Sequence, residues 1–218
     1  AQIRAYKPQS SSLGCGQVLP CPYTADKARI VVQEMVDGIS LELVEKRLVT
    51  AQLVLTVGYD IENLTRPEIR KVYKGPVTTD RYGRRVPMHA HGTWNLPRAT
   101  SSSSELLEAM AALYDKIVNP ALLIRRMSLS ACHVVNEKMA KEREQKETFE
   151  QLDLFTDYAK KEAKEKEEQK KRERERRMQE ALLTIKKKYG KNAVLRGMNF
   201  EEGATAKERN GQIGGHQA

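Results

Sequence analysis

Among the side chains of this 218-residue chain with the chemistry to hold a soft metal or to attack a substrate are Cys15, Cys21, His89, His91, Cys132 and His133. A zinc site needs thiolates and imidazoles at short, regular spacing, and neither Cys-x-x-Cys nor His-x₃-His occurs. The His89-x-His91 spacing is that of a strand. A Cys132 nucleophile would need a base on its own side, but its neighbour His133 projects to the opposite face of an extended chain. Gly214-Gly215 lacks the preceding strand and the lysine of a phosphate loop. No catalytic residue, metal or cofactor is assigned.

Two other groups of residues fit binding better than catalysis. Thr56, Gly58, His89, His91, Thr93, Arg126, Ser128 and Ser130 alternate with apolar residues in three extended stretches, which places them together on one face of a sheet. Small hydroxyls, glycines and a guanidinium suit close approach to a sugar-phosphate backbone. The second group is Gln151-Leu152-Asp153-Leu154-Phe155, an apolar island within a long run of Lys, Arg, Glu and Gln. No nearby segment can cover it. Leu154 and Phe155 are pocket-filling anchors, Leu152 supports them, Gln151 offers donors and an acceptor at a pocket rim, and Asp153 stays wet. The pentapeptide resembles the Gln-Leu-(Ser/Asp)-Leu-Phe motif by which bacterial polymerases and repair proteins dock on the β sliding clamp.

The elements that position these groups follow from periodicity. Ser10 to Leu19 reads as a first strand, with Ser10, Ser12 and Gly14 open to close approach and Pro20 and Pro22 ending it. Thr24 caps a helix to about Arg47, with Ala28, Val32, Met35, Ile39 and Leu43 on its apolar face. Ala51 to Asp60 alternates, with Leu53, Leu55, Val57 and Tyr59 inward. Residues 61 to 85 read as a long basic loop or extended hairpin containing Arg84 and Arg85. Val86 to Leu96 is a third strand with Met88, Ala90, Trp94 and Leu96 inward. Ser102 and Glu105 form a capping box for a helix that Asn119-Pro120 stops. Ile124 to Val135 is the last strand. This β-α-β-β-α-β order predicts an α+β fold, a four-stranded antiparallel sheet with two helices on one face.

Net charge is +9, with Lys+Arg 38 against Asp+Glu 29, and a basic balance favours a polyanionic partner. The likeliest phosphate partners are Lys7, Arg84, Arg85 and Arg126. Three cysteines make no disulfide framework, and no apolar run spans a membrane, so a cytoplasmic monomer without membrane contact is expected. A chain that begins with Ala1 rather than Met reads as a piece of something longer. The division expected is a lead-in linker over 1–9, a DNA-binding domain over 10–136, a linker with the docking motif over 137–155, a charged helix over 156–190 and a flexible tail over 191–218. In the charged helix, Glu162/Lys166, Glu167/Lys171, Glu168/Arg172 and Glu173/Arg177 are acid-before-base pairs at i, i+4. Without an apolar heptad it is expected to stand alone in solvent, as a spacer or a DNA-contacting arm.

The stretches Tyr6-Lys-Pro-Gln-Ser-Ser-Ser-Leu-Gly14, His89-Ala-His-Gly-Thr-Trp-Asn-Leu96 and Leu123-Ile-Arg-Arg-Met-Ser-Leu129 resemble the little-finger domain of Y-family translesion DNA polymerases of the UmuC type, the ImpB/MucB/SamB family. Ile185-Lys-Lys-Lys-Tyr-Gly-Lys-Asn192 and Arg209-Asn-Gly-Gln-Ile-Gly-Gly-His216 resemble the tails of that branch. The resemblance implies a little finger that grips damaged or primer-template DNA through phosphates, with the clamp as a second partner, in SOS lesion bypass. The family's catalytic core precedes this region and holds two Mg²⁺ ions with carboxylates that have no counterpart here. No catalytic activity is therefore expected of this chain alone. The alternative is a free-standing regulatory protein that binds clamp and DNA without an enzyme.

Overall fold

The computed structural model describes residues 11–147, 158–213 and 216–217. The expectations for Lys7, Ser10 and Gln151 to Phe155 lie outside the described residues. In chain order the elements are β1 (Leu13–Tyr23), α1 (Ala25–Lys46), β2 (Leu48–Tyr59), the short helices α2 (Glu62–Thr65) and α3 (Pro67–Val72), β3 (Val77–Thr79), β4 (Arg85–Pro87) and β5 (Ala90–Thr100). There follow α4 (Ser103–Ile117), β6 (Ile124–Cys132), β7 (Val135–Asn136), α5 (Glu137–Glu147), α6 (Tyr158–Tyr189), α7 (Ala206–Arg209) and a terminal pair, β8 (Gln212–Ile213) and β9 (His216–Gln217).

The fold is α+β, as the periodicity predicts. The main sheet runs β1-β6-β2-β5, antiparallel throughout, and β7 adds a short fifth strand to β2. Each strand-helix-strand crossover steps over one antiparallel neighbour, so α1 and α4 lie side by side on the same face. Their apolar stripes meet the inward residues of the strands: Met35, Leu43, Leu106, Met110 and Leu113 close over Leu53, Leu55, Met127 and Leu129, all nearly inaccessible to solvent. Burying one such side chain fully is worth about 1.5–3 kcal/mol, so this layer is the main source of stability.

Several expectations need correction. Pro20 and Pro22 do not end β1, which continues to Tyr23. β1 is an edge strand, and its register shifts between Val18 and Tyr23, where the prolines need donate no ladder bond. Residues 61–85 contain two short helices before the hairpin. Asn63 fixes the first of them: it is fully buried, its Nδ2 donates to the Asp60 and Leu123 carbonyls, and its Oδ1 accepts from Leu123 N–H at 2.7 Å. Val86 to Leu96 is two strands. The strand is interrupted at Met88, which is 48% exposed rather than inward, and at His89. The capping box is half formed. Ser102 Oγ accepts from Glu105 N–H at 3.2 Å, but the Glu105 carboxylate pairs with Arg98 instead of reaching back.

The last corrections concern the C-terminal third. The second half of α6 does not stand alone in solvent: Gln179 is 1% exposed, and its amide donates to Ser101 O and Ser103 Oγ, both at 3.1 Å. Glu175 accepts from Ser104 N–H at 2.8 Å and from the Ser102 and Ser104 hydroxyls. It thus places a carboxylate at the positive end of α4, where the helix dipole favours it. Arg176 bonds Ser101 and Glu137, joining α6 to the base of α5. Residues 191–213, expected to be flexible, form a strap over α1. Arg196 pairs with Asp37 at 2.7 Å, and the buried Glu34 carboxylate accepts from Asn199 Nδ2, Thr205 N–H, Thr205 Oγ1 and Ala206 N–H.

Candidate nucleic-acid interface

The sheet face away from α1 and α4 is open, and strand register arranges its side chains in rungs. Gly14, Ser130, Val54 and Thr93 form one rung, and Gly16, Ser128, Thr56 and His91 the next. Val18, Arg126 and Gly58 form the third. Alternation causes this: the inward neighbours Leu53, Leu55, Val57, Met127 and Leu129 are consumed by the core, so every second residue is left outward. None of these outward residues carries a carboxylate.

Two local contacts order the face. Thr56 Oγ1 lies 2.9 Å from His91 Nδ1. When the hydroxyl donates to Nδ1, Nε2 bears the proton and is a donor for an oxyanion. Arg126 lies flat across Gly58: a Cβ there would fall 2.5 Å from its Cγ and 2.6 Å from its Nε. Arg126 is exposed and makes no ion pair among the described residues. One further rung joins Gln52 to Asn95, with Gln52 Nε2 donating to Asn95 Oδ1 at 2.8 Å. Gln52, Asn95 and Gly16 were not among the residues singled out for binding, although parity with Thr56 and Thr93, and with Gly14, would have found them.

Of the residues expected to bind DNA, Gly14, Thr56, His91, Thr93, Arg126, Ser128 and Ser130 share this face. Ser12 precedes β1, and His89 sits in the link between β4 and β5. Arg84 and Arg85 lie on the β3–β4 hairpin, where Arg84 pairs with Asp80 at 2.8 Å. Among the cysteines, Cys15 faces the core, and burial pushes its thiol up to about 11, which leaves almost no thiolate at neutral pH. No three His, Cys, Asp or Glu side chains converge among the described residues, and no helix there is long and apolar enough to cross a membrane.

The open face of this α+β sheet thus carries hydroxyls, glycines, one imidazole and one guanidinium, and no carboxylate among the rungs described. The family model for the impB/mucB/samB family C-terminal domain matches residues 10–154, and the chain belongs to that family. It therefore carries the C-terminal, little-finger domain of a Y-family polymerase. No curated protein matches the chain. A solved structure described as a complex of beta-clamp processivity factor and little finger domain of PolIV aligns with 67% of this chain and 100% of its own chain, at 9% identity and a TM-score of 0.37. That likeness is too loose to carry inference.

Proposed function

We propose that this chain is the DNA-gripping and clamp-docking part of a translesion polymerase, acting in the cytoplasm in the repair of damaged DNA. The open sheet face holds the template-primer duplex through its phosphates, without reading bases. Arg126 supplies the charge, Ser128, Ser130, Thr56 and Thr93 supply hydroxyl donors, and the glycines let the backbone come close. Gln151 to Phe155 docks on the β sliding clamp. Nucleotidyl transfer with Mg²⁺ belongs to a catalytic core joined to this region.

The observation that carries the reading is the continuous, carboxylate-free face with an unpaired Arg126 in a family whose members are polymerases. Its test is fluorescence anisotropy of the 218-residue chain with a blunt duplex, from about 50 to 200 mM salt. Arg126→Ala is expected to flatten the plot of log affinity against log salt by about one unit without creating sequence preference. An unchanged slope would remove the sheet face as the DNA surface. Replacing Leu154 and Phe155 together by alanine removes two anchors worth about 1.5–3 kcal/mol each, from a motif expected to bind with about 8 kcal/mol. Clamp binding should vanish while the thermal midpoint stays put, and a destabilised protein that still binds clamp would refute the docking role.

A further inference from the structure

The β3–β4 hairpin has features that gripping a duplex does not require. Its tip, Arg81-Tyr82-Gly83, is tightly tied. Asp80 N–H donates to Arg84 O at 2.9 Å, Gly83 N–H donates to Asp80 O at 3.0 Å, and Asp80 Oδ1 accepts from the N–H groups of Tyr82 and Arg84. Gly83 has φ 77°, the left-handed conformation that a three-residue hairpin loop needs at its last position. On this fixed tip Tyr82 is 67% exposed, with the guanidinium carbons of Arg81 and Arg84 at 4.7 and 5.1 Å from its ring centre. Arg85 follows, exposed and without an ion pair among the described residues. Packing does not account for a large aromatic held out in this way.

The hairpin also stands at a particular end of the sheet. β4 ends at Pro87, three residues before Ala90, and Ala90 pairs with Val57, next to the rung of Gly58 and Arg126. The hairpin is thus joined to the end of the sheet that carries Gly58 and Arg126.

We propose that the hairpin tip is a second binding site, for unpaired nucleotides: Tyr82 stacks on a base, and Arg81 and Arg85 take the flanking phosphates, while Arg84 stays in its pair with Asp80. In a duplex the base faces are covered by their neighbours, so an aromatic finds a free face only where the strand is single. The inference rests on the DNA-binding reading above and places the chain at a junction between duplex and single strand.

The test compares the full chain with its Tyr82→Ala and Tyr82→Phe variants on a blunt duplex and on the same duplex with a single-stranded overhang. Tyr82→Ala should weaken binding to the overhang probe by roughly five- to a hundredfold, the effect of losing one stacked base. Blunt-duplex affinity, its salt slope and the thermal midpoint should not move, and Tyr82→Phe should behave as the parent chain. Equal losses on both probes, no loss on the overhang probe, or a Phe variant as weak as Ala would each overturn the site. A parent chain that binds neither probe would overturn the duplex reading with it. Arg126-dependent duplex binding alongside a silent Tyr82→Ala would refute the tip site alone.

Discussion

Glu34→Ala tests how the C-terminal strap is held. The Glu34 side chain is buried in α1 at 3% exposure and accepts from Asn199 Nδ2 and Thr205 N–H at 2.8 Å, Ala206 N–H at 3.0 Å and Thr205 Oγ1 at 3.2 Å. Hydrogen bonds to a charged acceptor contribute about 1.5–3 kcal/mol each, and an orphaned buried donor costs about 1–3 kcal/mol. The strap escapes the second cost by lifting into water, so the loss is limited to the net worth of the bonds. Counting two of the four at the low end gives about 3 kcal/mol, or roughly 140-fold in the docking equilibrium. Hydrogen exchange read by mass spectrometry should accelerate over residues 199–210 and stay unchanged in β2 and β6. Glu202→Ala is the control: Glu202 is 86% exposed in its pair with Lys27, and a pair so exposed adds little to stability. Unchanged exchange over 199–210, or acceleration spread into β2 and β6, would refute the assignment of Glu34 to the strap.

Two further outcomes are expected. Gly92→Ala should lower stability by about 1–3 kcal/mol by overpacking, seen as a lower urea midpoint, because its Cβ would come within 2.8 Å of Ile117 Cγ2 and 2.9 Å of Leu113 Cδ1. Cys15 should resist alkylation at about pH 8, where a pKa of about 11 leaves roughly one thiolate in a thousand, while the exposed Cys21 reacts first. Because folding raises the Cys15 pKa from 9.0, its contribution to stability is complete below pH 9.0 and is lost as pH rises through about 11. Urea midpoints on either side of that window check the sign.

The parts of the fold that were legible are those written in apolar periodicity. Leu53, Leu55 and Val57, Met127 and Leu129, and the stripes of α1 and α4 each repeat at the spacing of their element, and the open face follows as their complement. Short elements carry no such period: α2 and α3 have four and six residues, and the first depends on one buried amide, Asn63. The strap and the second half of α6 were illegible for a different reason. They dock through Glu34, Gln179, Glu175 and Arg196, polar side chains that look solvated in sequence and become buried or paired only when a distant segment supplies the complementary atoms. The interruption at Met88 and His89 hid behind alternation that continues in phase across it.

Both free edges of the main sheet carry a register break, and both breaks contain proline. β1 shifts between Val18 and Tyr23, around Pro20 and Pro22, and the β2–β5 ladder shifts between Thr50 and Gln52, opposite the part of β5 that contains Pro97. A regular edge is a template on which another molecule's strand can add, and a polar, glycine-containing sheet has little side-chain bulk to prevent it. An incoming strand here would find the spacing interrupted at either side and N–H donors missing at the prolines. Copies brought side by side thus have no continuous edge by which to fuse into larger sheets, and the open face can remain sparsely furnished without becoming an aggregation seed.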